Sequence, residues 1–316
     1  LKGDPGKEKG PWLAVTGYGS HISASGRALV IRKGGAREEY PLVQVRHLLI
    51  MGGHTLQTSA VLHLLKQGSL ISFFSTDGVP LGTAMPFGEN RAGEVRDAQH
   101  RVQGHRYALE FIRGSCRARI LYLEEVSHAR GEPLLLRGEL EILHQASDEI
   151  EFLVTMEELR RVFRLVTNMY YEVLARSVPP SYGFRRRTDP PQRDVINAVL
   201  TFGYSMLFGN GMISVVAAGL DPDSGFLFQG ERSLVYDLIE SHKVAMIDRP
   251  VFEALWSGRI REDMGECNET RCILSDMLVR ELIRLFQGSI DQGLLDRDTS
   301  VLAGSLLDNT SFVLGR

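Results

Sequence analysis

The sequence predicts an α+β fold: a small β-rich N-terminal domain over residues 11–88, then a larger all-α domain over 89–316. Three observations carry this reading. Up to about residue 87, short apolar runs alternate with glycine turns. Beyond about residue 89, apolar residues recur at helical spacing. At 316 residues the chain is also too long for one small core.

In the first domain, residues 12–15 form a strand turned by Gly17 and Gly19, and 21–23 lead through a Ser25-Gly26-Arg27 turn into a returning strand at 28–31. Glycine supplies the positive φ these turns need. Lys33-Gly34-Gly35 turns again, 39–42 follow, and 45–51 form an apolar run long enough for a buried strand. A helix then starts with Thr58 or Ser59 as its cap, carries Val61, Leu62, Leu64 and Leu65, and stops at Gly68. Strands follow at 70–74 and 81–84, the first closed by an Asp77-Gly78 turn.

Residues 91–123 read as one long helix. It bears Arg91, Arg96, Arg101, Arg106, Arg113, Arg117 and Arg119, either as a solvated basic face or as phosphate contacts. Helices are also expected at 134–143, 150–175, 194–218, 233–244 (capped by Ser233), 251–256 and 273–286. Val178-Pro179-Pro180 and Leu220-Asp221-Pro222 interrupt them. From about residue 296 the chain is weakly patterned, and a frayed tail is expected.

Composition narrows the function. The net charge is −3, from 36 Lys+Arg against 39 Asp+Glu, so a nucleic-acid site has to be a local basic patch. Cys116, Cys267 and Cys272 lack zinc-site spacing. They imply inert thiols in a reducing, cytoplasmic compartment. No uninterrupted apolar run reaches about 18 residues, so no membrane span is expected. Residues 1–10 are polar and glycine-rich and read as a disordered lead-in.

The most informative stretch is 184–240. It opens with Arg185-Arg186-Arg187 and Pro190-Pro191, runs through a long apolar helix, and closes with Asp237 and Glu240 one helical turn apart. Several motifs stand in series: Asp194, Asn197-Ala198-Val199-Leu200, Gly203-Tyr204-Ser205, Ala218-Gly219-Leu220-Asp221-Pro222, Gly225-Phe226-Leu227, and Ser233-Leu234 before Asp237-Leu238-Ile239-Glu240. In this order, from about residue 12 to about 286, the chain resembles the CRISPR-associated integrase, the metal-dependent endonuclease subunit of the spacer-acquisition complex. The resemblance implies Mg²⁺ or Mn²⁺ held by three side chains: a Glu on the helix before the arginine-proline segment, a His directly after the Gly-Phe-Leu turn, and the acid ending the last motif. Such an ion takes hard ligands and leaves positions open for a DNA phosphate. The resemblance also implies double-stranded DNA as partner, a homodimer or a heterodimer with a paralogue through the β domain, and a small companion subunit. Asn197 and Tyr204 become structural positions near the site, and the arginine run becomes a DNA contact.

The chain departs from that pattern. Glu240 matches the acid, with Asp237 a turn before it. Phe228 stands where the His belongs, and no histidine lies between His144 and His242. Aligning Tyr170-Tyr171 puts Phe163 at the Glu position. Phenylalanine cannot bind a metal, and two rings would fill the space with apolar volume. Three readings stay open. In the first, the chain is a catalytically impaired DNA-binding or scaffolding subunit. In the second, it is an active nuclease using Asp237, Glu240 and a third ligand such as Glu158. In the third, it is an interaction module without DNA binding, which the net charge favours. His242 points to a different side of its helix from Glu240.

Overall fold

A computed structural model of the chain describes residues 12–45, 47–74, 80–84, 86, 91–130 and 134–314. The Asp77-Gly78 turn and the lead-in at 1–10 lie outside them. The chain divides into two compact units, Leu1–Glu94 and Val95–Arg316.

The first unit holds two four-stranded sheets. One contains β1 (Trp12–Thr16), β5 (His47–Met51), β7 (Leu70–Phe74) and β8 (Pro80–Ala84) in that spatial order. Its first three strands are parallel and β8 is antiparallel. The other orders β4 (Ala36–Pro41), β3 (Ala28–Lys33), β2 (His21–Ser25) and β6 (Thr55–Leu56). The expected hairpin between 12–15 and 21–23 does not form, because β1 pairs with β5 in the other sheet. Gly17 and Gly19, at φ +87° and +75°, carry the chain from one sheet to the other. The crossing is tight: a Cβ on Gly52 would stand 2.1 Å from the Gly17 carbonyl oxygen. Helix α1 (Thr58–Lys66) is preceded by Gln57 with no side-chain cap, so neither Thr58 nor Ser59 caps it. Ile22, Leu29, Leu48, Leu64 and Ile71 meet in the core.

The predicted long helix is two, α2 (Arg91–Arg101) and α3 (His105–Arg130), parted at Gly104. After α4 (Glu139–Glu149), α5 (Met156–Ala175) starts later than its apolar pattern suggests. Its start is set by a capping box between Thr155 and Glu158. Helix α6 (Val195–Ala217) is capped by Asp194, which accepts from the Asn197 N–H. By length and composition alone α6 could cross a membrane. Here it is a core helix, packed against α7 (Ser233–Glu240), α9 (Asp276–Ser289) and α10 (Gln292–Asp308).

Helix α7 stops at Glu240, and a π-helical turn (Val244–Asp248) leads into α8 (Arg249–Trp256). The segment predicted to begin a helix at 273 first forms a hairpin of β9 (Gly265–Cys267) and β10 (Cys272–Leu274). Cys267 and Cys272 are joined there by a disulfide rather than standing as inert thiols. The expected frayed tail is α10, capped by Asp291 and packed on α6. Its inner face mixes Leu295 and Leu302 with buried Asp298, Thr299 and Ser305. That mixture hides its apolar period.

Candidate active-site region

The turn at Gly225-Phe226-Leu227 is drawn onto the start of α7. A Cβ on Gly225 would lie 2.7 Å from the Ser233 carbonyl carbon, so the approach requires glycine. Ser233 does not cap its helix. Its hydroxyl accepts from the Gly225 N–H at 2.9 Å and donates to the Asp223 carbonyl at 3.0 Å. One turn further on, Asp237 is fully buried. Its carboxylate accepts the N–H groups of Phe226, Leu227 and Phe228 at 2.5, 3.0 and 2.9 Å. Burial pushes its pKa up to about 6, against the downward pull of those three donors, and Glu240 adds a further push. Asp237 thus holds the turn and fixes where Phe228 emerges.

Glu240 is only 5% exposed. The Arg119 guanidinium donates to its Oε2 at 2.8 Å, and the Lys243 ammonium donates to Oε1. Burial would raise this carboxyl, but Lys243 and Arg119 outweigh it and hold it below the ordinary value. Arg119 therefore leaves the supposed basic face of α3 and lies in the interior at 1% exposure. Others of that series are also engaged. Arg113 is paired with Glu110 and Glu151, and Arg106 donates to Asn309 at 2.7 Å. Arg96, Arg101 and Arg117 are exposed.

The Phe163 and Phe228 rings meet edge to face, with centroids 5.9 Å apart at 76°. Phe228 continues to Tyr236 at 6.4 Å, and Tyr236 to Phe208 at 5.0 Å. The Arg119 guanidinium lies 5.6 Å from the Phe163 ring and 5.7 Å from the Tyr170 ring.

A third buried carboxylate, which no sequence pattern marks, lies close by. Asp248, on the π-helical turn, accepts from the Tyr170 hydroxyl at 2.9 Å and from Tyr204. Burial raises its pKa, partly offset by those hydroxyls and by Arg119. Tyr204 also bonds Tyr171 at 2.6 Å, and its ring lies under Arg187 at 5.3 Å and Lys243 at 4.9 Å. The arginine run does not act as one unit. Arg187 donates to the Asn197 side chain at 2.8 Å and to Thr201 at 2.7 Å. Buried Asn197 returns a bond to the Arg186 carbonyl at 3.0 Å. Only Arg185 and Arg186 are exposed. The suggested third ligand, Glu158, is committed to its helix cap, accepting from the Thr155 hydroxyl at 2.7 Å. His242 faces Asp298 at 3.0 Å.

The donor set does not fit Mg²⁺ or Mn²⁺. Asp237 is engaged by three backbone donors and Glu240 is paired with two cations, and the facing positions are phenylalanines. Among the described residues no group of three His, Cys, Asp or Glu side chains could hold a metal ion.

A β-rich unit followed by a helical unit with an acid pair below a Gly-Phe-Leu turn is the framework of a CRISPR integrase. The chain belongs to the Cas1 family: the profile described as CRISPR associated protein Cas1 matches residues 13–288. It is 38% identical over 296 residues to the putative CRISPR-associated endonuclease Cas1 2 of Methanospirillum hungatei JF-1, covering 94% of this chain and 98% of that one. Among solved structures, a casposase bound to integration product shares the fold at TM-score 0.76 and 19% identity, over 96% of this chain and 97% of that one. A partial Cas6-RT-Cas1–Cas2 complex matches equally well, at TM-score 0.76 and 19% identity, over 97% and 99%.

Proposed function

We propose that this chain is a catalytically impaired Cas1-family protein that serves spacer acquisition as a DNA-binding or scaffolding subunit. One observation carries the reading: the Phe163–Phe228 ring pair sits beside a Glu240 already neutralised by Arg119 and Lys243. A carboxylate in that state is already balanced by two cations, and aromatic carbons supply no ligand beside it. The site keeps the family's frame and loses its ligand chemistry.

Duplex DNA is the proposed partner, with Arg185 and Arg186 as exposed phosphate contacts. Arg187 is a weaker candidate for that role, being half-buried with donors on Asn197 and Thr201. Support comes from the casposase of the same fold, which is bound to an integration product, and from the Cas1–Cas2 complex, which suggests a companion subunit here. In this reading the β unit pairs with a second copy or an active paralogue, and the protein works in the cytoplasm.

The test is incubation with Mn²⁺ and branched or blunt DNA, with Glu240→Ala as control. No cleavage or strand transfer is expected. Activity abolished by Glu240→Ala would refute the impairment. In a gel shift, binding should weaken with salt and with Arg185→Ala/Arg186→Ala. No binding at any salt would favour an interaction module instead.

A further inference from the structure

We infer that Arg119 is a built-in counter-ion: together with Lys243 it neutralises Glu240 from inside the protein and closes this carboxylate to divalent cations. This deepens the reading above and rests on it. It makes a separate claim about which residue excludes the metal.

The argument is geometric. Arg119 rises from α3 and is 1% exposed. One end of its guanidinium donates to Glu240 Oε2 at 2.8 Å, and the other to the Ser115 hydroxyl on its own helix. The Phe163 and Tyr170 rings lie near the cation at 5.6 and 5.7 Å. A guanidinium among aromatic faces is held electrostatically as well as by packing, and it stays charged at any working pH. Lys243, the residue three beyond Glu240 and only 16% exposed, fills the other carboxylate oxygen.

Two other acids lie near this cluster, and Asp248 also feels the charges of Arg119 and Lys243. Asp237 is turned into the Phe226–Phe228 backbone, and Asp248 is held by Tyr170 and Tyr204. Arg119 and Lys243 thus both pair with Glu240, and Arg119 is the one held in the interior. A divalent ion approaching Glu240 meets like charge within a few ångströms, with little water to screen it. Arg119 is held in place by burial and by the bonds at both ends of its guanidinium.

Replacing the two rings alone should therefore not create a metal site. The experiment compares the Mn²⁺-dependent shift in Tm of the wild type, of Phe163→Glu/Phe228→His, and of that pair combined with Arg119→Gln. The first two should not shift. The third should rise by several degrees as Mn²⁺ binds the folded state. An equal rise in the pair with Arg119 intact, or no rise in the folded triple variant, overturns this inference alone. A rise in the wild type that Glu240→Gln abolishes overturns the impaired-site reading beneath it as well.

If the triple variant fails to fold, a cycle in the native background decides. Arg119→Gln and Glu240→Gln should each lower Tm by roughly 6–15 °C by stranding a buried charge, and the double change should lose much less than their sum. Strict additivity would refute the pairing.

Discussion

Asp237 and Glu240 sit one turn apart on the same helix, both buried, and they are satisfied in opposite ways. Asp237 faces neutral dipoles, the three N–H groups of the Phe226–Phe228 turn. Glu240 faces full charges, Arg119 and Lys243. The pKa directions follow: burial wins at Asp237, which is pushed up to about 6, and the cations win at Glu240, which is held low. An acid kept in a family motif need not be an acid kept for chemistry. In the proposed reading one shapes a loop and the other balances an arginine.

The largest test of this contrast is replacement. Asp237→Ala would strand three buried N–H groups, at a cost of about 3–5 kcal/mol by chemical denaturation. The joint change Arg119→Met/Glu240→Met should cost far less, or nothing, because removing both members of a buried ion pair also removes their desolvation. Lys243, partly exposed, can turn to water. If Asp237→Ala were the milder of the two, the division of roles between the acids would be wrong.

A smaller effect is the dependence on pH. The folded pKa of Asp237 lies above its unfolded value of 3.8, so the folded state holds the proton more tightly. Its contribution is complete below about pH 3.8 and is lost as pH rises through about 6, by up to about 3 kcal/mol. Glu240 has the opposite sign: its folded pKa lies below 4.5, so its contribution is present above that value and is lost as pH falls. Unfolding free energies of the wild type and Asp237→Asn, measured between about pH 4 and pH 7, should converge as pH rises. Divergence would show that the three N–H donors, not burial, control the Asp237 proton.

Much of this site is legible in the sequence. The Gly-Phe-Leu turn, the acid pair and the phenylalanines at 163 and 228 are local or alignable features, and the two rings do meet. Arg119 was not readable. It stands in a series of arginines that read as a surface face, and only the packing of α3 against α5 and α7 makes one of them interior. Arg187 has the same history, since its commitment to Asn197 and Thr201 depends on where α6 passes. The last helix was missed because Asp298, Thr299 and Ser305 face inward and blur its period. Strand β1 reads as half of a hairpin because pairing partners 35 residues away leave no local trace, as Trp12 with His47 illustrates. In each case the deciding partner is distant in sequence.

The smallest predicted effect concerns the aromatic half of the site. If Phe163 and Phe228 act as a pair rather than as two independently buried rings, a double-mutant cycle to Leu should show a coupling of about 0.5–1.5 kcal/mol, as expected for edge-to-face aromatics. Phe163 also flanks Arg119, so Phe163→Leu should cost more than Phe228→Leu by losing that cation–π contact. Equal single costs with no coupling would mean that the rings only fill space. In that case the exclusion of metal at this site would fall to Arg119 and Lys243 alone.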